Sequence, residues 1–500
     1  MADTITLTGA DLTPEAVTAI GAGAHVALAE QGLARMARTH ALLQQALQEG
    51  RPMYGITTGL GPRVVDRLST AEQAAMSVNT LRGRAHAVGA PLPVPVVRAA
   101  MAIRANTLLI GAAGANPDLA RLIVDCLNAG LTPLVRDTGS IGAADLMWGA
   151  SMGLPLIGEG QMETPEGPRP ATEALLEVGL APYQPGPREG LALASHSSIT
   201  AALGVLGHQR IVTVLEGAQT AAALSLEGFR ANLSPLDGRV LVLHAQPGQD
   251  EAARGIRSRL AGSQLLTPGH ARRVQDPLSM RNIAQIHGAV YMALDFAETA
   301  LATELNGAPD NPSVLEGGEI LSTGAYLTPH LTIAMGTVTQ SLTHLAAAQV
   351  ARMSRQIQSE FTGLSVGLGV GDVASAGFAP AMKTAEALFS EVVQLAAPSP
   401  VYPSASANGV EDIVTHSAIP AKALSPMADH LARLTAMELM IATQAIELRA
   451  LETIAPAVQQ AMEMVRETVA PLTADRPLAD DIEALAAQVT AGRFAAPHDG

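Results

Sequence analysis

The stretch SPMADHLARLTAMELMIATQAIELRALETIAP (Ser425–Pro456) decides the fold class. Ser425 is placed to cap a helix, Pro426 fits its first position, and Pro456 is placed to stop it. Between them Leu431, Leu434, Met437, Leu439, Met440, Ile446 and Leu448 recur at mostly helical spacing. At 1.5 Å per residue such a helix is roughly 45 Å long. NIAQIHGAVYMALDFAETALATELN (282–306) and LTIAMGTVTQSLTHLAAAQVARMSRQIQSEF (331–361) read as partners of similar length. Apolar residues spread around much of each helix, which places them at the centre of a bundle or an oligomer.

Composition agrees. Of the 500 residues 48% are hydrophobic but only 2% aromatic, so Ala, Leu, Val and Met fill the interior, a mix better suited to packed helices than to sheets. The expected fold class is therefore mainly α. Residues 1–206 form a loop-rich, mostly helical part, broken by Gly and Pro; residues 207–500 form the long-helix bundle. PVPVVRAAMAIRANTLLIGAAG (93–114) reads as helix, MYGITTGLGPRV (53–64) as a loop, and the tail AAPHDG as frayed.

A net charge of −15, with no block of cations, argues against nucleic acid as a partner. Cys126 is the lone cysteine, so neither an intrachain disulfide nor a cysteine metal site is expected. The start, MADTITLTGADLTPEAV, lacks the basic-then-apolar pattern of a signal, and no uncharged apolar run reads as long enough to cross a bilayer. The expectation is a cytoplasmic protein without a membrane partner.

Two segments match the G-x-S-x-G nucleophile pattern, GASMG (149–153) and GLSVG (363–367), but neither follows a convincing strand. With 46 glycines in the chain, chance matches are expected. Ser195 stands beside His196 in SHSS, yet adjacency in sequence is not a triad. GLGVGD (367–372) is not a dinucleotide loop, and the histidines occur singly, without metal-ligand spacing.

The cations carry more information. Only Lys383 and Lys422 are lysine, the rest arginine. Lysine can surrender its proton when crowded or buried and arginine cannot, so Lys383, in GFAPAMKTAEAL, is a candidate acid or base. The plain alternative is a solvated lysine on a helix face. Tyr54, in MYGITTGLG, sits among small residues that let the backbone approach a ligand; its plain alternative is a packing tyrosine.

Taken in order, the segments resemble the aromatic amino acid lyase family, the histidine and phenylalanine ammonia-lyases. MYGITTGLG resembles the family's Y-G-I-N-T-G-F-G loop, and LNAGLTPLV with GSIGA resembles the approach to its electrophile. REGLALASHS resembles K-E-G-L-A-L-L-N-G-T, and RVQDPLSMRN resembles R-V-Q-D-P-Y-S-L-R. DNPSV and STGAY follow, and GVEDIV resembles the late Q-E-D-H-V segment. The resemblance runs through nearly the whole chain. It implies a histidine ammonia-lyase-like fold, a homotetramer, and active sites shared between subunits.

One departure is decisive for the chemistry. The family cyclises an internal Ala-Ser-Gly, flanked as G-S-x-G-A-S-G-D-L, into a methylidene-imidazolone electrophile. Here the stretch reads GSIGAADL, with Ala143, Ala144 and Asp145 and no Ser-Gly, so no such cofactor is expected to form. The family tyrosine near that cofactor is Leu278. A quaternary ammonium leaves as a neutral tertiary amine and needs no electrophile, so the substrate expected is a small-molecule betaine. That logic, and Lys383, resemble the ergothionase branch, which eliminates trimethylamine from ergothioneine to give thiourocanate.

The resemblance then implies roles. Tyr54 would be the base for the β-proton, Lys383 and Glu411 would hold and protonate the ring, and Arg281 would fork onto the carboxylate. Ser195 replaces the family asparagine at a carboxylate contact, Arg84 stands where histidine lyases carry a ring-recognising histidine, and Tyr326 replaces a phenylalanine and faces the cation. Trp148 is expected to fill the space the cofactor vacates. Neither cofactor nor metal is expected. The alternatives are a lyase acting on another betaine such as trimethylhistidine or another activated amino acid, and an inactive scaffold.

Overall fold

A computed structural model describes residues 4–59, 65–371 and 374–495; most of the tail, Gly61 of the Tyr54 loop and Asp372 lie outside these. Helix accounts for 59% and strand for 8%, and the long helices form a central bundle, as the sequence predicts for a mainly α chain. The longest are Ser198–Phe229, Ile283–Asn306, Pro329–Gln356 and Ala418–Arg449. The stretch Glu189–Phe229, which includes the first of these, carries a window apolar enough to cross a membrane by composition alone, against the sequence reading, but that window is largely buried in protein.

The opening stretch folds differently at both ends from its sequence reading. The helix begins at Ala418, eight residues before Pro426, which lies inside it. Ala421, Ala423 and Leu424 are buried, so the apolar stripe extends upstream, while Pro426 itself is exposed. Burial on that side offsets the one missing N–H donor. At the other end the helix stops at Arg449, and Ala450 takes a left-handed φ of 47°. Pro456 does not end this helix; it opens the next, Pro456–Thr468, at its first turn.

The chain divides into two compact units, each assembled from three stretches. The first takes residues 1–209, 298–333 and 399–422. Among the described residues it holds every strand, in small sheets of two or three, such as Val88–Pro91 antiparallel to Arg136–Thr138. The helix Val94–Leu108 is buried almost throughout, and its Arg104 forks onto Asp310 at 2.9 and 3.3 Å. Tyr54, Tyr326 and Glu411 all fall in this unit.

The second unit takes residues 210–297, 334–398 and 423–500. Its core is helical and contains a polar seam. Arg352 donates to both oxygens of Glu438, at 2.6 and 3.0 Å, and Ser225 adds a third bond to that carboxylate at 2.7 Å. Both charges are fully buried, so the fork and the extra bond are what make their desolvation tolerable.

Candidate active site

The loop around Tyr54 is a tight turn. The amide of Thr57 donates to the carbonyl of Met53 at 3.0 Å, and the Thr57 hydroxyl accepts from the amide of Met53 at 2.7 Å. Gly55 has φ +65°, a conformation in which any side chain would be strained. That turn sets Tyr54 at the edge of a cavity of about 160 Å³ within the first unit. Five residues marked in the sequence line it together: Tyr54, Arg84, Ser195, Tyr326 and Glu411.

The degenerate tripeptide forms part of the wall. Ala143 and Ala144 both line the cavity. The amide of Ala144 donates to the carbonyl of Tyr326 at 3.0 Å, and the carbonyl of Ala144 accepts from the amide of His196 at 2.9 Å. Ala144 and Asp145 take left-handed φ values of 64° and 46°, which cost energy in residues with a side chain. Asp145 holds the turn: its carboxylate accepts from the hydroxyl of Ser140 and from the hydroxyl of Thr200, the latter at 2.6 Å. Burial without a cationic partner pushes the Asp145 carboxyl up to about 6, against the lowering effect of those bonds.

The other wall residues arrive from short elements. Arg84 follows the helix Thr70–Arg82, which opens with a reciprocal Ser69–Glu72 capping box and ends at Gly83. Ser195 ends the six-residue helix Glu189–Ala194, and Glu411 begins the strand Glu411–Ile413. Directly behind Ser195, His196 is buried and bonded to the carbonyl of Leu193; burial, then Arg104, push its imidazole down to about 3. Its other ring nitrogen accepts from the amide of Ser198 at 3.3 Å, so the backbone, and not the Ser195 hydroxyl, engages both nitrogens. Ser151 of GASMG donates to the carbonyl of Met147 on its own helix.

Arg281 and Lys383 are not brought to this cavity. Both belong to the second unit, where Arg281 lines a separate cavity of about 610 Å³ with Gln275, Asp276, Asn282 and Gln285. Lys383 is exposed on the helix Ala381–Leu395, and Leu278 is 64% exposed. Trp148 is buried, donates to the carbonyl of Arg136 at 2.9 Å, and does not line the Tyr54 cavity. Its burial shows a packing role on the helix that follows the Ala143–Ala144 turn rather than in the Tyr54 cavity wall.

Sequence reasoning missed Asn311, Leu191 and Val410 as wall residues. Asn311 lay in the DNPSV segment, so a signal existed. Its side chain accepts from the amide of Thr323 at 2.9 Å, and its neighbour Asp310 is clasped by Arg104.

The comparisons with known proteins point one way in family and two ways in activity. Residues 12–467 match the family model described as aromatic amino acid lyase. The chain is 36% identical to a histidine ammonia-lyase of Symbiobacterium thermophilum, over 98% of this chain and 97% of that one. Its fold is similar to that of an ergothionase from Treponema denticola, solved with desmethyl-ergothioneine sulfonic acid. The TM-score there is 0.93, with 26% identity and coverage of 98% of this chain and 99% of that one. A tyrosine aminomutase from Streptomyces globisporus is similar too, with a TM-score of 0.91, 28% identity and 98% of each chain covered.

Proposed function

The chain belongs to the aromatic amino acid lyase family, and from that premise we propose that it is a cofactor-free carbon–nitrogen lyase releasing trimethylamine from ergothioneine. The observation that carries this reading is the cavity in which Tyr54 and Glu411 face a turn made of Ala143 and Ala144. The family's electrophile does not fit that turn. Cyclisation needs a serine hydroxyl to lose as water and a glycine amide to attack, and this turn offers a methyl group and then Asp145, whose carboxylate is engaged by Ser140 and Thr200.

The remaining residues suit a substrate that brings its own leaving group. Tyr54 takes the β-proton, the electron pair closes the new carbon–carbon double bond, and the Cα–N bond breaks with its pair going to nitrogen. The products are thiourocanate, neutral trimethylamine and the proton held by the base. Glu411 and Lys383 hold and protonate the thione-imidazole ring, which spreads the charge that develops at the β-carbon. Arg281 takes the carboxylate as a fork, Ser195 and Arg84 complete the polar wall, and Tyr326 faces the trimethylammonium.

Lys383 and Arg281 reach the cavity from other copies of the chain, in a homotetramer with shared sites. Support for this comes from their absence from the cavity lining and from exposed apolar side chains in the second unit, among them Val274, Leu278, Met292 and Phe296. The cellular setting that fits is the cytoplasm, with neither nucleic acid nor a membrane as partner.

The test is to incubate the purified protein separately with ergothioneine, trimethylhistidine and histidine, following product absorbance, trimethylamine and ammonia. Ergothioneine should release trimethylamine. Tyr54→Phe should lower kcat by about 10²–10⁴, and Lys383→Met should lower it comparably. Ammonia from histidine, or no turnover of either betaine, would overturn the reading.

A further inference from the structure

Away from the Tyr54 cavity, the second unit gathers arginines without acids to match. Arg272, Arg273, Arg355 and Arg449 surround the 358–363 segment, and Arg230, bonded to the carbonyl of His270, is close enough to Arg449 to act on it electrostatically. Arg273 donates to the carbonyl of Glu360 at 2.9 Å, Arg449 to that of Thr362 at 2.8 Å, and Arg355 to the side chain of Gln358 at 2.7 Å. Arg273 and Arg355 both stack on Phe361, each 4.9 Å from the ring centre. Gly363 comes so close to Arg272 that an added methyl would lie 2.8 Å from a guanidinium nitrogen.

Among the described residues none of these five arginines forms an ion pair. Asp276 feels Arg273 electrostatically, but one of its oxygens takes the amide of Asn232 and it stays outside ion-pair distance. Burial above all, and then Arg272 and Arg230, push the Arg449 guanidinium down to about 10. Like charges held this close repel one another, and a bound anion would relieve that repulsion.

A cavity of about 1080 Å³ opens on the cluster. Arg239, Arg257, Arg272 and Arg273 line it, against one carboxylate, Asp237. Asp237 is already held by Arg239, and Arg257 is tied to the carbonyl of Leu236 and approaches Asp250 at 3.9 Å. Among the described residues that leaves Arg272 and Arg273 as the wall charges without an acidic partner, Arg273 being bonded only to the carbonyl of Glu360 and stacked on Phe361.

We propose that this cavity is a binding site for a phosphate-bearing small molecule, seated on Arg272 and Arg273; it shares no wall residue with the Tyr54 cavity, and it adjoins the cavity of Arg281 through Asn232, Ser234 and Val274. A guanidinium presents a planar fork that matches a phosphoryl group, and such a group carries about −1.5 to −2 charges with three acceptor oxygens, enough to engage two forks at once.

Calorimetric titration of the full-length protein at fixed ionic strength tests it, with pyrophosphate, inorganic phosphate and citrate as probes. Pyrophosphate should bind saturably and at least about tenfold more tightly than citrate, with inorganic phosphate between them. Arg272→Gln, at an exposed position with no side-chain bond to lose, should weaken pyrophosphate at least about tenfold. The paired change Asp237→Asn with Arg239→Gln, which leaves the wall's net charge as it was, should change it by about twofold or less. Absence of saturable binding, equal affinity for citrate and pyrophosphate, or an unaffected Arg272→Gln protein would each overturn the proposal. So would loss of the oligomer in Arg272→Glu without any pyrophosphate binding in the parent, since the guanidinium would then face another copy's carboxylate.

Discussion

Asp145 is a buried carboxylate with two hydroxyl partners and no cation, and its pH behaviour follows from that. Its folded-state carboxyl is raised from 3.8 to about 6, so in the window between these values the folded chain keeps a proton that the unfolded chain has lost. The stabilising contribution is full below about 4 and disappears as pH rises through about 6. Asp145→Asn removes that titration, whatever constant offset it adds from altered hydrogen bonds. The melting temperature of the variant minus that of the parent should therefore rise by a few degrees from pH 4.5 to 7.5; a difference flat with pH would contradict it. At this scale the sequence was informative where a residue's chemistry is local. Tyr54 beside Gly55, or Glu411 in GVEDIV, carries its meaning in its own segment. Asp310 and Arg104 do not: they meet across 206 positions, and nothing in either neighbourhood marks the fork they form.

Helix packing explains a motif that chemistry does not. In GASMG, an added methyl at Gly149 would collide with the carbonyl of Ala194, and one at Gly153 would lie 2.9 Å from the side chain of Leu193. Gly190, on the opposing Glu189–Ala194 helix, likewise leaves no room for a methyl against the carbonyl of Ser77. Glycines four apart thus let the Leu146–Gly153 helix lie against the helix that ends at Ser195, and the serine between them is incidental. Gly149→Ala should cost about 3 kcal/mol or more, because the obstacle is backbone and cannot rotate away. It should also displace Ser195 and lower turnover. Ser151→Ala should melt within about 0.5–1.5 kcal/mol of the parent and retain activity, since that hydroxyl bonds only its own helix. Thermal melts and turnover of both variants check this, and loss of activity in Ser151→Ala alone would restore a nucleophile reading. The spacing in sequence was visible; its cause was not, because close helix contact and a nucleophile elbow both select small residues. Pro426 illustrates the same limit, since a proline that is tolerated inside a helix by its neighbours' burial reads, locally, as a start.

At the level of the whole molecule, the proposed reaction turns on whether other copies of the chain supply residues to the Tyr54 cavity. Tyr54, Arg84, Ser195, Tyr326 and Glu411 share one cavity in one chain, whereas Arg281 and Lys383 do not line it. If neighbouring copies supply the latter pair, two inactive variants can restore one another. Co-expression of Tyr54→Phe with Lys383→Met, carrying different affinity tags and purified through both, should recover roughly one intact site in four under random mixing. Each single variant prepared alone should remain inactive. Co-expression of Tyr54→Phe with Glu411→Gln provides the control, because both residues then fail within the same chain's cavity and no mixture contains an intact site. Activity in the first mixture and none in the second is the expected pattern. Equal silence in both would place Lys383 in the same chain's site or outside the reaction altogether. Equal recovery in both would mean that Tyr54 and Glu411 serve different sites despite sharing a wall.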